Sequence, residues 1–536
     1  MKRYIFVLSI VLSAITTSCA DLLEQEPANA ITTEQIKKIL ESGDEDQVDI
    51  ILGGMANNLP YAIHRTLGYG GSGNDARVNS PLRLHYYNSL VGYDIVCGAG
   101  VSGFGSDAYL SYTSRESAGS THNYCFWYFG WSCVVSANKL LQYLPETLNS
   151  SKLKDYKARA LTLRAYGYNF LMENYRDAYN PAGEGLMIYD RIDPSGTYKP
   201  LTSAKETYDF IKQDLAEAVR LFAESEIGDN KDGYTADTKD IDLGVANFVL
   251  ARVSLLTGDY AAAISACNAI LPKYPDLITA DNYGGKNTGT AAEPEFKAEA
   301  NALIKFGTIN PEVIFGFEGV STFQNVVYEW LNTFGTGYGG ASSNWGRIVS
   351  ALYDAINAND VRKSLFLDGS TTFDNYAYPT SPVTIRTIPT YSNLKFAATE
   401  VGGKKEPTDL ANLDVCYMRT SEVLLMKAEA QAQNGDENGA KATLNTLLAA
   451  RTKTGETALT CDSYGGASTA LDMVKLQWRI EMWGENGLEY YNNKRWGITV
   501  TRKSNVTNHW DEATITPSQM KWAFPTDESI YNPNLQ

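Results

Sequence analysis

Ala428-Glu-Ala-Gln-Ala-Gln-Asn-Gly-Asp436-Glu-Asn-Gly-Ala440-Lys-Ala-Thr-Leu-Asn445-Thr-Leu-Leu448 decides the fold of this 536-residue chain, because its pattern occurs twice. The earlier copy places Ala251, Val253, Gly258-Asp259, Ala263, Asn268 and Leu271 at the spacings of Ala428, Ala430, Gly435-Asp436, Ala440, Asn445 and Leu448. Each copy reads as a helix, a Gly-Asp turn and a second helix, with a small residue where the two pack closely. That is a tetratricopeptide-like helix pair, in which alanine at the crossing lets the backbones approach. The copies lie far apart, so the chain is not a simple solenoid but a set of helix pairs interrupted by insertions.

Other segments agree. Phe126, Phe129, Cys133, Ala137 and Leu140 recur at three- and four-residue steps, and a further helix runs from Leu153 past Phe170. Ser203-Ala-Lys-Glu206 reads as a capping box ahead of Tyr208, Ile211, Leu215, Val219 and Phe222 on one face. Residues 67–123 and 283–413 are rich in Gly, Ser, Asn, Thr and Tyr, with strand-like pieces such as Val313–Phe317. Loops this long inside a compact protein are usually functional. The expected fold is mainly α, with helix pairs, long irregular insertions and a few short strands.

The N-terminus predicts export. Lys2 and Arg3 precede an apolar run from Tyr4 to Ile15, the length of a signal-peptide core and short of the roughly 18–20 residues that span a bilayer. The run closes on Thr16-Thr17-Ser18-Cys19, small residues before a cysteine, as a lipoprotein signal peptidase requires; Thr16 stands where leucine is usual. Residues 1–18 thus read as a lipoprotein signal peptide, Cys19 as the lipidated residue, and the acidic stretch after it as a tether. A lipidated N-terminal cysteine carries more than one acyl chain, which suffices for stable attachment without a basic patch.

A formal net charge of −16 argues against nucleic acid and against adsorption to anionic lipid. The 34 tyrosines are about twice the usual share and suggest many ring faces near the surface, suited to stacking on sugar rings or peptide side chains. Besides Cys19, six cysteines (Cys97, Cys125, Cys133, Cys267, Cys416 and Cys461) form no C-x-x-C pair, and His64, His85, His122 and His509 show no metal-ligand spacing. These thiols read mostly as buried core residues, with one or two disulfides open outside a reducing compartment. Gly68–Gly73 and Gly335–Gly340 fit G-x-G-x-x-G only literally. The first is followed by no helix, and the second is preceded by a stretch that reads as helix as much as strand, with a helix expected from about Trp345. Asp229–Gly233 has its glycine one position early for a calcium loop and reads as a solvated turn. No G-x-S-x-G occurs, and paired carboxylates would be invisible among 62 acidic residues. The residues therefore predict no metal, no cofactor and no catalytic residue.

Four stretches together resemble the SusD/RagB family of nutrient-uptake lipoproteins. They are Cys19 to Pro27; Trp131–Asn138 with Arg159–Tyr166 and Asn174–Asp177; Met418–Ala430 with Gly435, Asn445 and Arg451; and Arg479–Gly487 with Lys494–Gly497, followed by Ala523–Glu528 and Asn532–Asn534. There are departures: Trp478-Arg479 replaces an expected Glu-Arg pair, an expected arginine is replaced near Glu489, and the turn reads Arg176-Asp177 rather than Gly-Asp. The resemblance implies four tetratricopeptide-like helix pairs and an N-terminal region (19–225) packed with a C-terminal region (226–536) as one body. It also implies an outer-membrane, surface-facing position, a glycan ligand, and a SusC-like TonB-dependent transporter as partner. Peptide capture and, less directly, a surface glycoside hydrolase are the alternative readings.

Family motifs carry no ligand residues over, so these are chosen by type and position. Sugar recognition calls for exposed rings beside groups that satisfy hydroxyls. Asn74 with Arg77, Tyr93 with Asp94, Trp330, Tyr338 and Trp345 fit that description; Trp127, Trp131 and Trp496 stand in helical motifs and read as core.

Overall fold

The computed structural model describes residues 33–42, 45–64, 81–96, 113–193, 195–227, 237–290, 294–320, 346–374, 385–398, 413–509 and 512–535. Its helices begin with Thr33–Ser42 (α1), Glu45–His64 (α2), Pro81–Leu90 (α3), Thr121–Leu141 (α4), Ser151–Tyr175 (α5) and Ala204–Ser225 (α6). They continue with Leu243–Leu256 (α7), Tyr260–Ile270 (α8), Ser350–Ala355 (α9), Thr420–Gln433 (α10), Glu437–Ala450 (α11), Ala470–Glu481 (α12), Leu488–Trp496 (α13) and Thr526–Tyr531 (α14). Among the described residues the strands form two-stranded antiparallel pairs only, the longest joining Val313–Val320 to Leu413–Arg419.

Local chemistry places the helix starts. Ser120, Ser150, Asp242, Asp259, Asp436 and Thr469 each accept a backbone N–H of the first turn with their side chains. Ser203 and Glu206 form the reciprocal capping box that their spacing predicts. Both repeat copies are helix pairs, α7–α8 and α10–α11. Gly258 and Gly435 turn through the left-handed region at φ +77° and +83°, and the aspartate after each caps the second helix. Ala263 and Ala440 are fully buried at the crossings.

The helices pack in a continuous series: α4 on α5, α5 on α6, α6 on α7, α7 on α8, α8 on α10, α10 on α11, and α12 against both α10 and α11. The main core draws on residues from both sides of position 225. The α4–α5 contact is unusually close: a Cβ on Gly167 would lie 2.8 Å from the Gly130 carbonyl oxygen and 2.9 Å from Cys133 Cβ. Gly167→Ala is therefore expected to remove about 1–3 kcal/mol of unfolding free energy, read from a urea titration. A neutral result would show that the helices part without penalty.

The C-terminal tail returns to this same layer. Trp522 N–H donates to the Asn174 carbonyl (2.7 Å), and Ala523 N–H to that of Arg115 (2.8 Å). The Trp522 ring packs on Phe126 at 4.6 Å, and the Phe524 ring lies 5.0 Å from Trp127.

Two expectations are corrected. The helix expected from about Trp345 begins at Ser350, and Arg347–Ile348 ahead of it pairs as a strand with Ile95–Val96. The β-branched Ile348-Val349 step takes its hydrogen bonds from distant backbone, which overrides the local helical pattern. The first insertion is also not all loop: α3 starts on Pro81 and buries Leu84, Tyr86, Tyr87 and Leu90. Being enclosed on most sides, it shows no amphipathic stripe to read. Cys133, Cys267, Cys416 and Cys461 are free thiols. Burial pushes Cys133 and Cys267 up to about 12, which makes them inert.

Candidate ligand-binding site

The third and fourth of the segments that carry the family resemblance meet in the interior. Arg419 donates to Glu485 (2.9 Å), Glu312 (3.0 Å) and Glu481 (2.7 Å). Arg451 donates to Glu312 (2.7 Å), Ser421 (2.8 Å) and Glu481 (2.9 Å). Arg362 reaches Glu481 (3.0 Å) and pairs with Asp360, while Lys395 donates to Glu485 (2.6 Å). Four cations thus face four carboxylates, all buried. Burial alone would raise the Glu481 carboxyl, but Arg451, Arg419 and Arg362 outweigh it and hold it well below the usual range. Burial pulls the Lys395 ammonium down to about 8 against the pull of Glu485.

The other motif residues are interlocks too. Arg164 grips Asp214 with two bonds of 2.7 Å and donates to Asn138 at 2.9 Å. Lys494 donates to the backbone carbonyls of Glu173 and Arg176. Arg495 and Trp496 donate to Glu429, the latter at 2.7 Å. These groups hold helices together.

Of the residues chosen as ligand contacts, Asn74, Arg77, Trp330, Tyr338 and Trp345 lie outside the described residues, as do Cys19 and both glycine-rich runs. Tyr93 and Asp94 lie inside them. Asp94 is only 2% exposed, and Arg479 Nε donates to it at 3.0 Å. Its backbone N–H donates to Glu489 at 3.1 Å and its carbonyl accepts from Trp483 Nε1 at 3.0 Å. Asp94 is thus corrected from ligand contact to scaffold ion pair; of its partners, Arg479 directly follows the departure at Trp478, and Glu489 is close to the other. Burial and the nearby Asp94 carboxylate push the Glu489 carboxyl up. A Cβ on Gly92 would collide with that carboxyl and push it off its backbone donors. Tyr93 is half-buried, with its ring 5.5 Å from that of His509 and the Arg479 guanidinium 5.6 Å away.

The described surface carries an aromatic groove that the sequence reading missed. It encloses about 420 Å³ between α4 and the connection from α5 to α6, with Trp131, Val135, Met187, Tyr189 and Tyr198 among its lining residues. Trp131, read as core, is half-buried, and its ring centre lies 5.6 Å from that of Tyr189 in a T-shaped contact. Tyr189 is fixed at both ends: its N–H donates to Tyr168 Oη (2.6 Å) and its hydroxyl accepts from Lys199 N–H (3.1 Å). Tyr198 is 43% exposed. The spacing of Tyr189 and Tyr198 carried no signal, since only the path of the connection turns them toward Trp131.

Residues 327–535 match the SusD family, and residues 100–232 match the SusD-like family described as starch-binding and associating with outer membrane. The chain belongs to the SusD/RagB family. Among solved structures, a SusD-like carbohydrate-binding protein from Bacteroides vulgatus superposes with a TM-score of 0.66 at 20% identity, covering 90% of this chain and 97% of its own. A SusD superfamily protein from Bacteroides thetaiotaomicron gives 0.61 at 19%, covering 92% and 98%. Surface glycan-binding protein A of that species, solved with laminarihexaose, gives 0.60 at 15%, covering 91% and 98%. No curated protein matches. At these identities the superpositions establish the SusD fold, and the interior charge network is the part of this SusD-like chain that unites its motifs. Among its described residues no helix is long and apolar enough to cross a membrane, and no cluster of His, Cys, Asp and Glu is placed to hold a metal ion.

Proposed function

We propose that this SusD-like protein captures glycans at the cell surface, anchored to the outer membrane through a lipidated Cys19 after removal of residues 1–18. It hands the captured oligosaccharide or polysaccharide to a SusC-like TonB-dependent transporter and does no chemistry on it. The observation that carries the reading is the match of residues 100–232 to a family described as starch-binding and associating with outer membrane. The tyrosine-rich insertions supply the ligand contacts, with Asn74, Arg77, Tyr93, Trp330, Tyr338 and Trp345 as the first residues to test.

Titration calorimetry of the mature chain against a broad panel of neutral and acidic oligosaccharides tests this directly. Saturable binding of at least one glycan, without release of shorter fragments, is expected. No binding across the panel would overturn glycan capture, and binding of peptides in its place would favour the peptide alternative. Fragment release would point to a hydrolase.

A further inference from the structure

We infer that the groove lined by Trp131, Tyr189 and Tyr198 is a second carbohydrate subsite, separate from the insertions and selective for neutral sugars. The inference rests on the glycan reading above and deepens it by adding a place and a ligand class. Its volume, about 420 Å³, falls in the range of small-ligand pockets, about 300–1,000 Å³. That is room for a short oligosaccharide segment rather than a folded partner.

Its chemistry fits a pyranose better than a lipid or an ion. Aromatic faces suit the apolar C–H face of a sugar, and polar groups at the same rim suit its hydroxyls. Here Tyr198 offers an exposed ring, while Arg191, Asp193 and Glu528 stand among the lining residues. One cation against two carboxylates gives no preference for a polyanion, so uronate-rich chains gain nothing from this rim. Tyr189 is held by hydrogen bonds at both ends and Asn138 Nδ2 donates to its carbonyl at 2.9 Å. The wall is therefore organised before a ligand arrives, which lowers the ordering cost of binding. The groove walls up to Tyr198 also fall wholly within residues 100–232, the segment matched to the starch-binding description.

Tyr198→Ala is the test, because its ring is exposed and its removal leaves the core intact. The mature protein and this variant are titrated calorimetrically with the same panel of neutral gluco-, manno-, xylo- and galacto-oligosaccharides. Loss of one stacked ring is expected to weaken the best ligand about tenfold, or about 1.4 kcal/mol, with an unchanged thermal midpoint. If the parent binds a sugar and the variant binds it equally well, the groove assignment is overturned while glycan capture stands. If the parent binds no neutral sugar, the groove assignment falls, and glycan capture falls with it only if the acidic members of the broader panel are not bound either.

Discussion

Glu481→Ala is expected to lower the unfolding free energy by about 3–5 kcal/mol, the range for removing one partner of a buried ion pair. Glu481 accepts from Arg362, Arg419 and Arg451 in a site closed to water. The truncation takes one carboxylate from each of three guanidinium groups, leaves them to Asp360, Glu312 and Glu485, and breaks the balance of four cations with four carboxylates. Glu481→Gln, which keeps the shape and removes the charge, should lose a comparable amount. Urea titrations at pH 7 check both, and a loss under about 1 kcal/mol would show that the remaining carboxylates re-pair. The network also predicts a pH profile. The folded Glu481 carboxyl is held below its unfolded value, so its stabilisation is fully present above the ordinary carboxylate range. It is lost as pH falls through that range toward the depressed folded value.

The second large effect is expected at Arg164. Arg164→Met removes both bonds to Asp214 and leaves that buried carboxylate without its cation, again at about 3–5 kcal/mol near pH 7. The sign of the pH dependence is opposite to that of Glu481. Burial already raises the Asp214 carboxyl, with Arg164 pulling it back, so without Arg164 it rises further. A group whose folded pKa is raised contributes most when protonated. The deficit of the variant relative to the parent should therefore shrink as pH is lowered toward 4. Paired unfolding titrations at pH 7 and pH 4.5 read this, and a deficit that stays constant would mean that Asp214 finds another cation.

Much of the scaffold was legible because its signals are local. Gly258-Asp259 and Gly435-Asp436 state both the turn and the cap within two residues, and Ser203 with Glu206 writes a helix start in four. The family motifs added the order of the pieces. What they could not show is that Arg419, Arg451 and Glu481 converge, since their contacts span tens of residues. The ligand residues were harder for the same reason. Asp94 has the chemistry of a hydroxyl-binding group, yet its partner is Arg479, 385 positions away, and that contact alone makes it scaffold. Trp131 is the intermediate case: it packs against the main core, as its helical motif suggests, yet one side of it also lines the groove with Tyr189 and Tyr198. Burial of a single aromatic residue depends on what passes over it, and local sequence does not carry that information.

The return of the C-terminal tail to α4 and α5 has a consequence for the order of synthesis. The helical layer begun near Arg115 is completed by Trp522 and Phe524, which cover Phe126 and Trp127. A growing chain therefore carries Phe126 and Trp127 without this cover until some four hundred further residues, as far as Phe524, have been made. Closure of this layer waits on a segment that is far away in sequence and adjacent in space.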